Sequence, residues 1–201
     1  MPDHPTCNAA LTSRKTLREA SLAERNLQKK TTIATWSAQL GEQLLTAWPA
    51  PPGKIVGFCW PVQNEPDLRA VLEQWRQVAA GTNWVCALPV VTAPGQALAF
   101  RVWQQGAAMV TDRYGIPTPA EGQFVQPDAL LIPLNAFDAR GFRIGYGGGF
   151  FDRTLAALDA LNARPLAIGV GFEINRVADT QPQVHDERLD WIVTEAGAWK
   201  I

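Results

Sequence analysis

Apolar residues along the chain fall into short continuous runs, separated by stretches in which they recur every three or four positions. A short continuous apolar run is typical of a strand that is covered on both faces of a sheet. One further run, residues 97–103, alternates between apolar and polar positions and also predicts a strand. The predicted strands are residues 54–60, 83–89, 97–103, 128–133, 165–171 and 189–194.

The stretches with a spacing of three or four residues predict helices. Ser13 can cap a short helix at the start of the chain. The run from Ser21 to Glu24 has the form of a capping box, so a second helix is predicted to start at Ser21. That second helix is predicted to continue to Trp48, a third runs from Pro66 to Ala79, and a fourth spans residues 149–163.

The alternation of strands with helices predicts an α/β fold, a single three-layer α/β/α domain with a mixed, largely parallel central sheet. We expect this domain to span residues 1–201, with residues 1–12 as a loose N-terminal tail. Residues 97–127 interrupt the alternation and can add antiparallel strands. Within them, residues 104–127 show little periodicity and are predicted to form a long irregular connection.

Glycines are concentrated at Gly145, Gly147, Gly148 and Gly149, between an apolar run that suits a strand and a stretch with helical spacing. Strand, glycine loop and helix in this order direct backbone N–H groups and a helix N-terminus at one point, which suits an anion. The loop lacks the Gly-Lys-Ser/Thr of a Walker A motif and the third glycine of the dinucleotide fingerprint. A glycine-rich loop without a ligand is the alternative to a phosphate site.

Charged residues beside the glycines favour the phosphate site. Arg143 precedes the loop and Asp152 follows it. A guanidinium can hold phosphate oxygens, and a carboxylate can hold a magnesium ion. Glu65 lies between a predicted strand end and a helix start, where open α/β sheets bind their ligands, although it can equally complement the helix dipole.

Composition narrows the class of partner. A net charge of −1 gives no electrostatic case for nucleic acid, and no segment is long and apolar enough to span a membrane. The cysteines lack the spacing of a metal site and the N-terminus lacks the form of a signal peptide, which predicts a cytoplasmic protein. His185 has no nucleophile to pair with, so a triad hydrolase is unsupported. Three basic residues near the N-terminus are most simply explained as a solvated helix face: Arg14, Lys15 and Arg18.

Residues 143–153, which read RIGYGGGFFDR, resemble the signature of the 5-formyltetrahydrofolate cyclo-ligases, also called methenyltetrahydrofolate synthetases. Because several further blocks match in the right order, the resemblance extends over almost the whole chain. These blocks are residues 14–18, residues 21–25, Glu65, residues 127–133 with 136–138, the pair His185-Asp186, and residues 190–195.

The resemblance implies an ATP-dependent ligase that acts on a reduced folate. ATP would phosphorylate the formyl oxygen of 5-formyltetrahydrofolate, nitrogen 10 would attack the activated carbon, and phosphate would leave. Such a reaction needs positioning and charge neutralisation more than covalent help from the protein, so we expect no protein nucleophile. The implied partners are the small molecules reduced folate and ATP, with magnesium as cofactor. From composition and hydropathy we expect no nucleic acid and no membrane partner, and nothing in the sequence suggests more than a monomer.

Carried over position by position, the resemblance also implies residue roles. Asp152 and Asp186 would bind magnesium, Glu65 would bind the N–H edge of the pterin, and Trp60 would wall the pterin pocket. Tyr146, Gly147, Gly148, Gly149 and Phe150 would touch the formyl end of the folate. The implied ATP site consists of Arg14, Lys15, Arg18, Arg143, Gly145, Tyr146, Gly147, Gly148, Gly149, Phe150 and Phe151.

The chain departs from the family pattern at Phe150 and Phe151, where the family often has tyrosines. Ring packing survives this change, but each position loses a hydroxyl hydrogen bond. Two alternative functions therefore stay open: a folate-binding relative without catalytic activity, and an ATP-dependent enzyme that acts on another small N-formyl or amide substrate.

Overall fold

A computed structural model of the protein describes residues 13–201. The predicted tail, residues 1–12, and Cys7 lie outside this range. The helices are α1 (Arg14–Asn26), α2 (Lys30–Ala47), α3 (Arg69–Val78) and α4 (Phe150–Asp159), together with a short 3₁₀ helix, Glu173–Asn175. The strands are β1 (Ile55–Gly57), β2 (Val85–Val90), β3 (Ala99–Trp103), β4 (Met109–Thr111), β5 (Pro117–Pro119), β6 (Phe124–Val125), β7 (Ala129–Pro133), β8 (Ala136–Phe137), β9 (Arg143–Ile144), β10 (Leu166–Val170), β11 (Trp191–Thr194) and β12 (Gly197–Lys200).

Eight of the strands form one sheet in the order β12-β11-β10-β7-β1-β2-β3-β6. Its five middle strands, from β11 to β2, are parallel, whereas β12, β3 and β6 pair antiparallel at the two sides. The prediction of a mixed, largely parallel sheet is therefore confirmed. Two further pairs, β4 with β5 and β8 with β9, stand outside the main sheet.

Two apolar cores cover the two faces of the sheet. Residues 129–132 of β7 are all buried, and their side chains alternate between the cores, with Leu131 in one core and Leu130 and Ile132 in the other. The core with Leu131 also receives the apolar stripes of α2 and α3, while Leu155 brings α4 to the other core. Helices on both faces make the three-layer arrangement that the apolar strands predict.

The start of the chain follows the prediction only in part. Ser13 caps α1, because its side chain accepts a hydrogen bond from the backbone N–H of Thr16 at 3.2 Å. The predicted start of a second helix at Ser21 is wrong, since Ser21 lies inside α1 with only 6% of its surface exposed. The backbone oxygen of Ser21 accepts from Asn175 at 2.9 Å, and this buried contact keeps Ser21 on the inner face of a continuous helix. The second helix starts at Lys30 instead.

The segment between β3 and β7 is more regular than predicted. It contains the β4–β5 hairpin and the edge strand β6, so the expected irregular connection over residues 104–127 is wrong. Asp112 organises the hairpin turn, because one carboxylate oxygen accepts from the backbone N–H groups of Tyr114 and Ile116. The antiparallel β12 and the β8–β9 hairpin also lack a counterpart in the prediction, and β9 rather than β7 enters the glycine loop.

None of the helices within residues 13–201 is long and apolar enough to cross a membrane.

Asp138 fastens the β8–β9 hairpin to the segment that follows the 3₁₀ helix. Its side chain is fully buried. One carboxylate oxygen accepts from the guanidinium of Arg140 at 2.7 Å and from the backbone N–H and hydroxyl of Thr180 at 3.0 and 2.8 Å. Burial alone would raise the pKa of Asp138, but these partners together lower it below the usual value.

We expect Asp138→Asn to lower the free energy of unfolding by roughly 2–3 kcal/mol at neutral pH, because it removes the charge from a buried hydrogen-bonded acceptor. The matched control is Asp179→Asn, since Asp179 binds the same Arg140 but 59% of its side chain is exposed. An exposed ion pair contributes at most about 1 kcal/mol.

The measurement is urea unfolding across a range of pH. Because the pKa of Asp138 is depressed in the folded protein, its contribution is complete above the ordinary pKa of aspartate and is lost as the pH falls through the depressed value. The gap between the wild type and Asp138→Asn should therefore close in acid. A gap that is the same size for both variants, or that does not depend on pH, would contradict this role.

Candidate active site

The candidate active site lies at the carboxyl ends of the middle strands. The chain leaves β1 toward Glu65, leaves β7 toward the β8–β9 hairpin and the glycine loop, and leaves β10 toward the 3₁₀ helix. Helix α1 joins all three connections, because it bonds to the backbone oxygens of Gln63 and Leu134 and to the side chain of Asn175. The structure thus assembles the candidate site from segments that are far apart in the sequence.

The glycine loop, residues 145–149, takes a backbone course that requires glycine at two positions. Gly147 has φ of 94° and Gly149 has φ of 62°, values in the left-handed region that side chains disfavour. Gly149 is the N-cap of α4, and among residues 13–201 no side chain caps the N–H groups of the first turn. These N–H groups and the helix dipole remain directed at the loop, as an anion site requires.

Of the three basic residues that the sequence groups near the N-terminus, Arg14 and Arg18 reach the site from α1. Arg18 donates from Nε to the backbone oxygen of Gly145 at 2.8 Å, which places its guanidinium against the glycine loop. Arg14 donates to Asp186 at 2.6 and 3.2 Å. Lys15 points away, with 79% of its side chain exposed and Glu19 at 3.8 Å as its partner. The solvated helix face that the residues alone favour therefore applies to Lys15 only.

Arg143 and Asp152 form a largely buried ion pair beside the loop. Their side chains are 5% and 18% exposed, and the guanidinium donates to Oδ1 of Asp152 at 2.9 Å. Glu187 closes a ring around them, because its backbone oxygen accepts from Arg143 and its N–H donates to Asp152. Burial lowers the pKa of Arg143 below its usual range, while the negative charge of Asp152 opposes this shift.

The two predicted magnesium ligands, Asp152 and Asp186, differ in how many of their carboxylate oxygens accept hydrogen bonds from the protein. Both oxygens of Asp186 accept from Arg14, and one also accepts from the N–H of Gln183. Asp152 uses only Oδ1, and within residues 13–201 no hydrogen bond reaches its Oδ2.

Magnesium usually takes one or two protein carboxylates and completes its shell with phosphate oxygens and water. The free oxygen of Asp152 fits that demand, whereas Asp186 would first have to release Arg14. In the part of the chain that the structure describes, no group of three histidine, cysteine or acidic residues could hold a metal by itself. The residues therefore fit a magnesium ion that arrives with a phosphate, and not a metal held by protein alone.

Glu65 lies at the centre of a buried hydrogen-bond network that the sequence does not reveal. It is 4% exposed, and Tyr146 from the glycine loop donates its hydroxyl to Oε1 at 2.6 Å. The same hydroxyl accepts from Arg25 at 2.9 Å, and the N–H of Val62 donates to the other oxygen of Glu65 at 3.1 Å. Burial raises the pKa of Glu65, while the Tyr146 hydrogen bond and the charge of Arg25 act against this rise.

Arg25 is the functional candidate that the motif search missed, and a signal for it was present in the sequence. Residues separated by three or four positions share one face of a helix. Arg14, Arg18, Ser21 and Arg25 have these separations, so all four lie on the inner face of α1.

The aromatic residues of the predicted pockets take separate positions. The ring of Phe150 contacts Tyr114 edge-on at 5.8 Å, and the Arg153 guanidinium lies 5.3 Å from its centre. Phe151 instead packs against the core under α4. Trp60 lines a cavity of about 750 Å³ beside α3, with Arg69 stacked on its ring, but Glu65 does not line that cavity. His185 is exposed, as expected for a histidine in a polar loop.

Comparison with known proteins agrees with the sequence motifs. The model of the 5-formyltetrahydrofolate cyclo-ligase family matches residues 10–195. The 5-formyltetrahydrofolate cyclo-ligase of Escherichia coli K12 is 36% identical over 73 residues, which are 36% of this chain and 39% of that protein. The enzyme of the same name from Haemophilus influenzae is 42% identical over 62 residues, or 31% of this chain and 32% of that protein. The aligned parts thus span less than half the length of these curated relatives.

Solved structures resemble the fold over nearly the full length. A 5,10-methenyltetrahydrofolate synthetase from Aquifex aeolicus superposes with a TM-score of 0.76 at 24% identity, covering 93% of this chain and 92% of that one. One from Mycoplasma pneumoniae gives 0.71 at 20% identity, covering 91% and 99%. At these identities the likeness concerns the fold alone. The family match, in contrast, covers the sequence from before α1 to the end of β11, and the chain therefore belongs to the 5-formyltetrahydrofolate cyclo-ligase family.

Proposed function

We propose that the protein catalyses the ATP- and magnesium-dependent cyclisation of 5-formyltetrahydrofolate to 5,10-methenyltetrahydrofolate. The observation that carries this proposal is the meeting of a buried carboxylate, Glu65, with an arginine-lined glycine loop at one edge of the sheet. One part of such a site can hold the polar edge of a heterocycle and the other a triphosphate. The protein acts in this proposal as a cytoplasmic monomer built from one domain.

The reaction proceeds through two transfers. The formyl oxygen takes the terminal phosphoryl group of ATP, and ADP is released. Nitrogen 10 then attacks the formyl carbon, the C–O bond to the phosphate breaks, and loss of the N–H proton completes the ring. Neither step forms a bond to the protein, so its side chains act by positioning the two substrates and neutralising charge.

The phosphate groups of ATP are assigned to the glycine loop. Arg18 contacts the loop at Gly145, β9 with Arg143 directly precedes the loop in the chain, and the N–H groups at the start of α4 follow it. Arg14 joins them when it leaves Asp186. Asp152, with Asp186 as the second carboxylate, would hold the magnesium ion, which neutralises charge on the transferring phosphate. Lys15, at its exposed position, is the weakest member of the predicted ATP site.

The folate is assigned to the region around Glu65. An ionised carboxylate only accepts hydrogen bonds, and a pterin offers adjacent N–H groups along one edge. The formyl group would then lie toward Tyr146 and Phe150, between the carboxylate and the glycine loop. Trp60 would contact the folate from the cavity beside α3. The family often has a tyrosine at the position of Phe150. In this chain the ring of Tyr114, which carries a hydroxyl, contacts the ring of Phe150.

The proposed function is tested by mixing the purified protein with Mg-ATP and 5-formyltetrahydrofolate and following the methenyl product and ADP together. The proposal requires equal amounts of both products, and loss of both when EDTA removes the metal. ADP release that 5-formyltetrahydrofolate does not stimulate would favour an ATP-dependent enzyme for another N-formyl or amide substrate. Folate binding without turnover would favour the silent relative, and reversion of Phe150 and Phe151 to tyrosine would then be the next step.

Asp152→Asn should lower kcat by about 10²-fold or more, because the amide keeps the size of the side chain but cannot hold magnesium at the transferring phosphate. Asp159→Asn is the matched control, since Asp159 lies exposed at the end of the same helix α4. The measurement is the rate of methenyl product formation, with circular dichroism to verify the fold. Normal turnover in Asp152→Asn would refute the metal assignment.

Glu65→Ala should weaken folate binding by roughly ten- to a hundredfold while leaving ATP binding nearly unchanged, because hydrogen bonds to a charged acceptor are lost at the pterin edge only. Isothermal calorimetry with each substrate separately gives both dissociation constants. Glu65→Gln keeps the side-chain volume and separates the loss of charge from the loss of packing. An equal loss of affinity for both substrates would count against the pterin assignment.

A further inference from the structure

Arg25 carries a charge into the interior of the candidate site. The residue is 1% exposed, and its three hydrogen bonds go to the backbone oxygens of Gln63 and Leu134, both at 3.0 Å, and to the hydroxyl of Tyr146. Among residues 13–201, no carboxylate oxygen lies within 4.0 Å of its guanidinium nitrogens. A buried charge is costly unless an opposite charge compensates it, so the compensating carboxylate has to act from further away.

The hydroxyl of Tyr146 connects Arg25 to that carboxylate. Because a guanidinium can only donate, the hydroxyl accepts a hydrogen bond from Arg25 and donates its own proton in a hydrogen bond to Glu65. The second oxygen of Glu65 accepts from the N–H of Val62. Both oxygens of Glu65 therefore face donors, an arrangement that suits the ionised carboxylate and leaves no acceptor for a proton on it.

The groups that face Glu65 come from three segments. Arg25 approaches from α1, Tyr146 from the glycine loop, and Cys59 from the segment after β1. Burial and the charge of Glu65 raise the pKa of Cys59, so its thiol stays neutral. In the described part of the chain, Arg25 is therefore the positive charge that acts on Glu65.

We propose that Arg25 is a positioning residue for folate recognition, which holds Glu65 as an aimed, anionic acceptor through the hydroxyl of Tyr146. The inference rests on the proposed function, because it takes Glu65 as the group that binds the pterin. It explains how Glu65 can be ionised although only 4% of its surface is exposed. It also gives Arg25, which belongs to neither predicted pocket, a role in substrate selection.

Charge on Glu65 decides which ligand edge is bound. An ionised carboxylate accepts from two adjacent N–H groups, whereas a protonated one offers a donor at one oxygen and would favour a ligand with an acceptor there. Burial raises the pKa of Glu65 and the charge of Arg25 lowers it, so removal of Arg25 would raise this pKa further. Folate binding would then fail at a pH at which the intact protein still binds.

The first experiment measures the dissociation constants of 5-formyltetrahydrofolate and of Mg-ATP by calorimetry from mildly acidic to mildly alkaline pH. In Arg25→Met, folate affinity should fall about tenfold or more at neutral pH, and the pH at which binding is lost should rise by about one pH unit. Mg-ATP affinity should stay within about twofold. Arg25→Lys, which keeps the charge, should restore the pH profile of the wild type.

The matched control is Arg164→Met. Like Arg25, Arg164 donates to a backbone oxygen, that of Arg188, but it is paired directly with the carboxylate of Asp190 and precedes β10, at the amino ends of the strands. It should leave both affinities and the pH profile unchanged. If Arg25→Met loses folate and ATP affinity together, with the pH profile of the wild type, Arg25 serves the fold only and the proposal is overturned.

The second experiment needs no ligand and therefore separates the inference from the proposed function. Infrared difference spectra between a protein and its Glu65→Gln variant report the ionisation of Glu65 directly. The pH at which half of Glu65 is ionised should lie about one pH unit or more higher in the Arg25→Met background than in the wild type. Equal midpoints would overturn the role of Arg25, whereas shifted midpoints in a protein that binds no folate would support that role and overturn the proposed function.

Discussion

The candidate site depends on hydrogen-bond partners for four arginine side chains at the carboxyl ends of the strands. Arg14 and Arg143 are paired with carboxylates, Arg18 with a backbone oxygen, and Arg25 with two backbone oxygens and a hydroxyl. Because a guanidinium left without partners in a buried place is costly, these contacts fix the segments that supply them. The positions of the glycine loop, the turn before α3 and the loop after the 3₁₀ helix all follow from this requirement.

The two arginine–carboxylate pairs of the site have the chemistry to interact with a phosphate. An arginine bound to a carboxylate in one state can bind a phosphate oxygen in another, with the released carboxylate free for a cation. Arg14 with Asp186 and Arg143 with Asp152 are two such pairs, and they are neighbours, because Glu187, which follows Asp186, bonds both Arg143 and Asp152. Under the proposed function, these pairs compensate one another's charge without a ligand and would exchange partners when Mg-ATP binds.

The sequence predicted the layers of the fold well, because the apolar strands and helical stripes are local patterns. It also located the glycine loop, since only glycine takes the backbone course at Gly147 and Gly149 without strain. The errors fall where distant contacts decide. Ser21 has the residues of a helix start, but its burial against Asn175 makes it part of a longer helix. Strand β12 and the β4–β5 hairpin form by pairing with another strand. The sequence of one segment does not show which strand it will pair with, so these elements were not predicted.

The site shows the same division. Arg143 and Asp152 could be found because they stand beside the glycines, whereas Glu65 and Tyr146 are 81 positions apart and meet only in the folded chain. Arg25 was hidden for another reason. A charged residue in the first helix is expected on the surface, and only the shared helix face with Arg14 and Arg18 indicates that its side chain turns inward.

Helix α1 buries just two side chains, Ser21 and Arg25, and both are polar. Its attachment therefore gains little from the hydrophobic effect and depends on hydrogen bonds and ion pairs that reach as far as Asp186, 172 positions along the chain. Contacts of such long range form only after the intervening chain has been brought into place. Helix α1 therefore docks onto segments that all follow it in the chain, and the candidate anion site is complete only when those segments are in place.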